Sequence, residues 1–302
     1  MGKVVCIGEA LVDFLPTDGG ALKPMAGGAP ANVCACISKL GGKALFLGKL
    51  SRDEYGKFLA SELQKSGVDL SAASFCDNKT AYSVVELKDG DRSFSFFREN
   101  TADLELSEND VPEGLFSNGD ILHFCSVSLV ESPAKYAHKR AAELALSAGA
   151  TISFDVNLRP SLWNDSAEMK KTVKEFLKFA DIVKVSEEEL DYLANGSVDT
   201  LFKTAENAKI VLLTLGKDGA TAYDRYGGKT HSPAYCKTPV DTTGAGDCFM
   251  GGVLLKLSEG GASLSADSLK TALDFASKAC AISVSRKGAI ESYPTLAEIE
   301  NN

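Results

Sequence analysis

The residues with the clearest chemical potential lie near the C-terminal end of the sequence, in Asp241-Thr242-Thr243-Gly244-Ala245-Gly246-Asp247. The run from Cys248 to Leu257 that follows is typical of a helix. Small residues at a helix start let backbone N–H groups approach a ligand, and the unpaired N–H groups and the helix dipole favour an anion there. Asp247 falls in the first turn, where a carboxylate can accept a proton from a hydroxyl. Such an arrangement can transfer a phosphoryl group to an alcohol.

A structural interpretation of the same segment is also open. Asp is common in the first turn of helices, and glycine-rich turns between strand and helix occur throughout α/β proteins. The local spacing alone therefore does not separate catalysis from helix capping.

A second glycine-rich element, Ala26-Gly27-Gly28-Ala29-Pro30-Ala31-Asn32, also enters a helix. Upstream, Asp13 follows closely on the first predicted strand. A carboxylate and a carboxamide beside exposed glycine backbone can hold the two hydroxyls of a vicinal diol. The alternative is a plain glycine turn in which Asn32 forms a buried hydrogen bond within the helix.

A third element, Thr214-Leu215-Gly216-Lys217-Asp218-Gly219-Ala220, follows a buried strand. Glycines at the end of a strand leave room for a flat ligand, but they are equally typical of a hairpin turn. The sequence has no Walker loop, because the first glycine that Gly228-Lys229-Thr230 would require is replaced by Tyr223. No Gly-x-Gly-x-x-Gly follows the first strand, which disfavours a dinucleotide oxidoreductase.

Short apolar runs alternate with helical segments and must position these motifs. The predicted buried strands are Val4–Gly8, Ala44–Gly48, Ile121–Cys125, Thr151–Phe154, Ile182–Val185 and Val211–Leu215. Ser132-Pro133 begins a helix that ends at Gly149, and Ser186–Glu189 and Thr295–Glu298 are capping boxes. This alternation predicts an α/β fold with a mostly parallel sheet and helices on both faces.

Two β-rich segments do not fit the parallel layer. Thr80–Leu87 and Ser93–Arg98 flank Asp89-Gly90, which predicts a hairpin, and Phe14–Met25 also lacks helical character. We interpret these segments as a small β lid over a site.

Bulk properties exclude several classes of protein. The 302 residues are 44% hydrophobic and 24% charged, and a formal net charge of −9 disfavours nucleic acid or an anionic membrane as partner. The N-terminus reaches Glu9 and Asp13 too early for a signal peptide, and no apolar run has the length of a membrane span. The eight cysteines show neither Cys-x-x-Cys nor a metal-ligand spacing, which indicates reduced thiols and a cytoplasmic protein.

Taken together and in this order, the motifs resemble those of the ribokinase-like (PfkB) family of sugar kinases. Gly27–Asn32 is similar to the N-terminal signature of that family and Asp241–Asp247 to its C-terminal signature. The resemblance runs from Lys3 to Pro294, and Cys34 departs from the usual small residue. It implies a ribokinase-like three-layer αβα sandwich as a single domain over residues 1–302, with a β lid from about 14–26 and 74–103.

The resemblance also implies site residues for ATP-dependent phosphorylation of a sugar hydroxyl. Asp247 is the expected general base, and the N–H groups of Gly244, Ala245 and Gly246 are the expected anion hole. The positions that would grip the sugar are Asp13, Gly27, Gly28, Asn32, Arg98, Asn157 and Arg159. Those that would hold ATP are Ser186, Thr214, Gly216, Gly219, Gly244, Gly246, Ala276 and Ser277.

Metal ions are implied in the same way. Glu189 matches the acidic residue that organises Mg²⁺ and phosphate, although Ser186 stands where the family has Asn. Many relatives bind a monovalent cation such as K⁺ beside the anion hole, and the matching positions here are Asp241, Thr243, Ser283, Arg286, Gly288 and Ser292.

Within the family, Phe96-Phe97-Arg98 and Asp155-Val156-Asn157-Leu158-Arg159-Pro160 with Trp163 are most similar to fructokinases. Other acceptors stay open at this point, namely 2-keto-3-deoxygluconate, ribose or a nucleoside. So does a catalytically silent sensor of sugar or nucleotide on the same fold. Apolar lid residues such as Phe94 and Phe96 predict a homodimer formed through the lid.

Overall fold

A computed structural model of the chain describes residues 2–17, 19–88, 91–236 and 238–301. In chain order the strands are β1 (Val4–Ile7), β2 (Leu11–Pro16), β3 (Leu22–Gly27), β4 (Ala44–Leu47), β5 (Lys49–Ser51), β6 (Ser74–Cys76), β7 (Tyr82–Lys88), β8 (Asp91–Phe97), β9 (Ile121–Cys125), β10 (Thr151–Asp155), β11 (Ile182–Ser186), β12 (Ile210–Thr214), β13 (Ala220–Asp224) and β14 (Lys229–Ser232). The helices are α1 (Ala29–Lys39), α2 (Glu54–Lys65), α3 (Pro133–Ser147), α4 (Ser166–Leu177), α5 (Glu187–Ala194), α6 (Val198–Thr204), α7 (Ala245–Glu259), α8 (Ala266–Ser283) and α9 (Leu296–Glu300).

The central sheet has the strand order β14-β13-β12-β11-β10-β9-β1-β4. From β12 to β4 neighbouring strands are parallel, whereas β13 and β14 are antiparallel additions at one edge. Parallel strands have both faces covered, so they are apolar on both sides, as the continuous hydrophobic runs of the sequence predict. The mostly parallel α/β sheet is therefore confirmed.

Helices cover the two faces of this sheet, and alternate residues of each strand separate into two cores. Val4 and Cys6 of β1 pack with α1, α7 and α8, whereas Val5 and Ile7 pack with α3 and α4 on the opposite face. This is the period-two alternation of a strand that is buried on both faces. The three-layer αβα sandwich follows from it.

The strand order also fixes where a ligand can bind. From β1 the chain moves to β4 on one side, and from β9 it moves through β10 and β11 to β12 on the other side. The two directions diverge between β1 and β9, which are neighbours. In open α/β sheets, ligands bind outside the carboxyl ends of the strands at this switch point.

A second sheet, of order β3-β2-β7-β8, is separate from the first and corresponds to the predicted lid. The predicted lid segment 74–103 is too long at its start, because β6 pairs with β5 in a two-stranded sheet. Strand register places Asp13, Ser83 and Phe96 in one row across β2, β7 and β8. The adjacent row, which faces the opposite way because side chains alternate along a strand, contains Tyr82 and Phe97. The predicted turn at Asp89-Gly90 lies outside the described residues, as does Asp18.

Several local expectations match the structure. The capping boxes at Ser186 and Thr295 form, and the helix after Ser132 has Pro133 at its first position. All eight cysteines are free thiols. Among the described residues, no helix combines the length and the apolar character needed to span a membrane.

Candidate active site

A polar cavity of about 300 Å³ lies at the switch point, between the lid and the carboxyl ends of β1, β9 and β10. Its walls are Glu9, Leu11, Asp13, Gly28, Ala29, Asn32, Phe96, Val127, Asn157, Arg159, Thr242, Thr243, Gly244 and Asp247. We call it the polar cavity. Residues from both glycine-rich motifs meet here, although they are more than 200 positions apart in the sequence. The fold brings them together because the two helices that they begin, α1 and α7, lie side by side, and Asn32 of one helix donates to Asp247 of the other.

The start of α1 is held by a buried acid from the end of β1. Glu9 is 1% exposed, and its Oε1 accepts the N–H of Ala29 at 3.0 Å, which satisfies one of the unpaired donors at the helix start. Gly28, the N-cap, has φ of 103°. A Cβ at Gly28 would lie 2.5 Å from the Glu9 carbonyl oxygen, so glycine is required for this close approach.

Asp13 is held in place by the lid and by the glycine beside it. The Ser83 hydroxyl donates a hydrogen bond to its Oδ1, and a Cβ at Gly27 would lie 2.3 Å from its Oδ2. Burial raises the pKa of Asp13, although the hydrogen bond from Ser83 opposes this. Gly27 therefore makes room for the carboxylate, which lines the polar cavity.

Asp247 and Asn32 form the central polar pair of this cavity. Asn32 Nδ2 donates to Asp247 Oδ2 at 2.8 Å, joining the first turns of α1 and α7. Burial raises the pKa of Asp247 to about 6, while the hydrogen bond from Asn32 and the charges of Lys184 and Arg159 lower it. A carboxylate with this pKa is a stronger base than an exposed aspartate and is still ionised at neutral pH.

The start of α7 carries the glycine-rich turn whose backbone N–H groups are the predicted anion hole. Gly244 has φ of 70°, and the first N–H groups of a helix have no partner within it. The N–H of Ala245 is an exception here, because it donates to the Thr242 carbonyl at 3.1 Å. An anion at this position would therefore be held by Gly244 and Gly246, and the expected contact from Ala245 would require the turn to rearrange.

A buried lysine beside this helix start was not singled out from the sequence. Lys184 of β11 and Asp155 of β10 are register partners, and their charged groups are 3.0 Å apart. A Cβ at Gly246 would lie 3.4 Å from the Lys184 ammonium nitrogen. Burial raises the pKa of Asp155 to about 7, although Lys184 opposes this. The signal was present in the sequence, because a lysine interrupts the apolar run Ile182–Val185.

A second cavity of about 470 Å³ lies on the other side of the α7 start, at the ends of β11 and β12. We call it the large cavity. It is lined by five of the positions predicted to hold the nucleotide, namely Thr214, Gly216, Gly219, Ser186 and Ser277. Its remaining walls include apolar groups such as Leu215, Phe249 and Val284 together with Ala245 and Gly246. A mostly apolar slot that ends at a helix N-terminus suits a flat base joined to phosphates.

Two of the positions predicted to hold the nucleotide, Ala276 and Gly219, take part in the packing of the protein. Ala276 is fully buried, and a Cβ at Gly252 would lie 2.8 Å from its Cα, so Ala276 belongs to the α7–α8 contact rather than to the cavity wall. Gly219 both lines the cavity and permits a close approach, because a Cβ there would lie 2.1 Å from the Ser232 carbonyl oxygen. The segment thus lines the large cavity and forms a hairpin turn at once.

Glu189 joins two strand ends. Its Oε2 accepts the Ser186 N–H and its Oε1 accepts the Leu158 N–H, both at 2.8 Å. It therefore connects the loop after β10 with the end of β11, although Glu189 is not among the wall residues of either cavity. The capping role that the sequence left open is present, and a carboxylate with backbone partners can still bind a hydrated metal ion.

The positions expected for a monovalent cation also converge. Asp241 is 5% exposed, and its two carboxylate oxygens accept the N–H groups of Thr243 at 2.8 Å and Gly288 at 3.0 Å. The hydroxyls of Ser283 and Ser292 are 2.8 Å apart. Arg286 instead pairs its guanidinium with Glu298 on α9, so only its backbone could face a cation.

The three remaining sugar positions differ in placement. Asn157 and Arg159 line the polar cavity, and Asn157 has φ of 38°. Arg98 does not line it, since its guanidinium is buried and bonded to Asp103, Val127 and Ser128. The expectation that Arg98 faces the sugar is therefore not met by this geometry, because its side chain points into a closed network.

The two cavities meet at the start of α7, which carries Asp247 in its first turn. Together with the α/β fold, this arrangement defines a small-molecule kinase. Residues 1–296 match the model of the pfkB family of carbohydrate kinases. The chain is 40% identical to fructokinase-1 of Zea mays, over 98% of this chain and 96% of that protein.

Solved structures give the same result. Fructokinase of Xylella fastidiosa with bound ATP has a TM-score of 0.93 and 33% identity, covering 99% of this chain and 97% of that one. Fructokinase of Vibrio cholerae, solved with fructose, ADP and calcium, has a TM-score of 0.91 and 32% identity, covering 100% and 98%.

The chain belongs to the pfkB family of carbohydrate kinases. It is an enzyme that transfers phosphate from ATP to a sugar hydroxyl, and its fold is ribokinase-like. The resemblance, the fold class and the enzyme class that the sequence predicts are confirmed.

Proposed function

We propose that this protein phosphorylates fructose with ATP, with the sugar in the polar cavity and the nucleotide in the large cavity. The observation that carries the proposal is that the two cavities meet at the start of α7, where Asp247 accepts a hydrogen bond from Asn32. The similarity to fructokinases over nearly the whole chain supports the choice of sugar.

In the proposed reaction each residue has a defined task. The γ-phosphoryl group lies against the N–H groups of Gly244 and Gly246, with the ammonium of Lys184 beside them. Asp247 accepts the proton of the sugar hydroxyl as the bond from oxygen to phosphorus forms and the bond from phosphorus to the β-phosphate oxygen breaks. Phosphoryl transfer has a loose transition state, so positioning and charge stabilisation supply most of the rate.

The charges around the polar cavity favour a neutral sugar. Among the described residues, its walls carry the carboxyl groups of Glu9, Asp13 and Asp247 and the guanidinium of Arg159. The charge of Arg98, behind this wall, compensates Glu9 and Asp103, which leaves Asp13 and Asp247 against Arg159. A substrate with its own carboxylate or phosphate would meet more negative than positive charge.

We therefore expect the rate of phosphorylation to depend on the charge of the acceptor, which a panel of acceptors can test. Fructose should be phosphorylated fastest, and 2-keto-3-deoxygluconate and fructose 6-phosphate should be poor acceptors, while ribose and nucleosides test the neutral alternatives. The measurement is ADP formation with ATP, run with sodium and with potassium as the only monovalent cation. Preference for an acidic acceptor would contradict the proposal, and binding of sugar without turnover would favour a silent sensor.

The residues present fit metal ions of two kinds. Glu189 would hold Mg²⁺ through water or one carboxylate oxygen, and the ion would neutralise charge on the phosphates, consistent with the few protein ligands that Mg²⁺ uses. Carboxylate, hydroxyl and carbonyl oxygens around Asp241 and Ser283 suit an alkali cation such as K⁺. Such a cation would raise the positive potential at the start of α7.

The outer face of the lid supports a homodimer. Phe97 stacks on Tyr82 with ring centroids 4.7 Å apart, yet Phe97 is 48% exposed and Leu22 on β3 is 50% exposed. Of the two residues for which the sequence predicts this contact, Phe96 lines the polar cavity instead, because its row faces the opposite side of the sheet from Phe97, and the side chain of Phe94 lies outside the described part of the chain. Apolar side chains on a sheet of this size favour pairing with a second copy.

We expect light scattering to give the mass of a dimer for the native protein and of a monomer for Phe97→Asp, because a buried charge in a lid-to-lid contact is costly. Tyr226→Asp is the matched control, since Tyr226 is 95% exposed on the turn between β13 and β14, far from the lid in the sheet order. A monomeric native protein, or dissociation by both variants, would rule out pairing through the lid.

A further inference from the structure

Arg98 stands where the lid meets the main body of the protein, directly after β8. Its side chain is only 4% exposed. Nε donates to Asp103 Oδ2 at 2.5 Å, one terminal nitrogen donates to the Val127 carbonyl, and the other donates to Ser128 Oγ at 2.9 Å. A planar guanidinium engaged on three sides fixes the relative position of its partners.

The hydrogen bonds continue from Arg98 to the start of α1. The Ser128 hydroxyl donates to Glu9 Oε2 at 2.6 Å, and Glu9 Oε1 accepts the Ala29 N–H at 3.0 Å. Val127, Glu9 and Ala29 all line the polar cavity. The network therefore runs from the end of the lid, behind the wall of the cavity, to the glycine-rich turn that precedes Asn32.

The lid side of the network faces the same cavity. Phe96 of β8 lines it, and only Phe97 separates Phe96 from Arg98, which directly follows the strand. Fixing Arg98 thus also fixes the height and direction of Phe96 above the cavity. The row of Asp13, Ser83 and Phe96 across the lid is set by the same strand.

The charges explain why this network is well ordered. Glu9 and Asp103 are 1% and 2% exposed, and Arg98 is the cation placed to compensate both. A buried ionic group without its partner is strongly unfavourable, so all members are held in one arrangement. Thr101 Oγ1 donates to the second oxygen of Asp103 at 2.7 Å, which completes the hydrogen bonds of this carboxylate.

We propose that Arg98 is a positioning residue for the sugar site, which clamps the end of the lid to Val127, Ser128 and Glu9 without contacting the sugar. This inference rests on the proposed function only in taking the polar cavity as the sugar site. Its consequence is that loss of the guanidinium loosens the cavity wall and the lid together.

The test compares Arg98→Met and Arg98→Lys with Arg52→Met as control, because Arg52 forms an exposed ion pair with Asp77. In Arg98→Met we expect the KM for fructose to rise by about 10- to 100-fold, since a small displacement of positioning groups can cost that much. The KM for ATP should change less than twofold. Arg98→Lys keeps the charge and should recover part of the loss, and Arg52→Met should behave like the native enzyme.

Two further measurements separate positioning from contact and from mere destabilisation. If Arg98 touched a sugar hydroxyl, one deoxy-fructose analogue would lose affinity in the native enzyme but not in Arg98→Met; a uniform loss across the analogues supports positioning. Ser128→Ala breaks the link to Glu9, so its effect and that of Arg98→Met should be non-additive. Additive effects, or equal changes in the KM of both substrates, would overturn the proposal.

The lid supplies a readout that does not depend on turnover. Hydrogen exchange of the amides of β2 and β7 should be faster in Arg98→Met than in the native protein, while exchange in β10 and β11 stays unchanged. A native enzyme that fails to phosphorylate fructose would contradict the proposed function alone, and this measurement would still decide the role of Arg98. Unchanged exchange in the lid would overturn it.

Discussion

Replacement of Asp247 by asparagine is expected to lower the turnover number about 10²- to 10⁴-fold, the usual contribution of a general base. Asparagine has the same shape, and its carbonyl oxygen can still accept the hydrogen bond that Asn32 Nδ2 donates to Asp247 Oδ2 at 2.8 Å. Sugar binding, measured by calorimetry, should therefore change little. The loss should fall on turnover because the variant cannot accept the hydroxyl proton.

The same variant tests whether Asp247 determines how kcat/KM depends on pH. Burial raises the pKa of Asp247 to about 6, so the folded protein holds this proton more tightly than the unfolded chain does. Below pH about 6 the carboxyl group is protonated and cannot act as a base, so kcat/KM of the native enzyme should fall about tenfold per pH unit. Above that pH the base is ionised and this limb disappears. Asp247→Asn should lack this fall in kcat/KM at low pH. A fall caused by protonation of ATP or of Asp155 would persist in the variant.

The control is Asp267→Asn, which also removes a carboxylate from the first turn of a helix but at an exposed position on α8. It should keep the turnover and the pH profile of the native enzyme. Turnover of Asp247→Asn close to the native value would exclude Asp247 as the base and leave it as a helix-capping residue, the alternative that the sequence allows.

A second large effect is expected from Gly244→Ala. At φ of 70°, alanine costs about 1–2 kcal/mol in backbone strain. Its Cβ would also lie 2.5 Å from the Tyr293 hydroxyl and 2.8 Å from the Ala289 Cβ. The turn must therefore shift, which moves the N–H groups that we propose to hold the phosphoryl group. Loss of one such donor lowers turnover about 10²- to 10³-fold.

Gly261→Ala is a matched control for this variant. Gly261 has φ of 67°, nearly the same backbone conformation, but no atom lies within 4 Å of an added Cβ. Denaturant unfolding should show similar strain in both variants, with an additional loss in Gly244→Ala. Turnover should fall only in Gly244→Ala. If both variants keep full turnover, the start of α7 does not bind the transferred group.

The main elements could be predicted from the sequence because their signals are local. Continuous apolar runs such as Ile121–Cys125 are long enough only for buried strands, and Ser132-Pro133 defines a helix start by its own chemistry. The motif from Gly244 to Asp247 likewise determines a helix start with a nearby acid. Such signals depend on neighbours in the chain, so no tertiary information is needed.

Partners distant in sequence could not be predicted in this way. The sequence predicts that Arg98 is a cation available to the substrate, but Asp103, Val127 and Ser128 occupy its donors. Lys184 lies within an apolar strand, and only the pairing of β10 with β11 shows that Asp155 compensates its charge. Whether a buried charge serves binding or structure depends on what the fold places against it.

The sequence by itself thus determined the α/β layering, the two glycine-rich helix starts and the class of chemistry, because backbone conformation and hydrophobic periodicity are written into short segments. Only the tertiary structure decided that Asn32 donates to Asp247, that the Ala245 N–H is engaged by the Thr242 carbonyl, and that Arg98 faces inward. These relations arise from strand order and packing, and a free hydrogen-bond donor can be recognised only when every neighbouring acceptor is known.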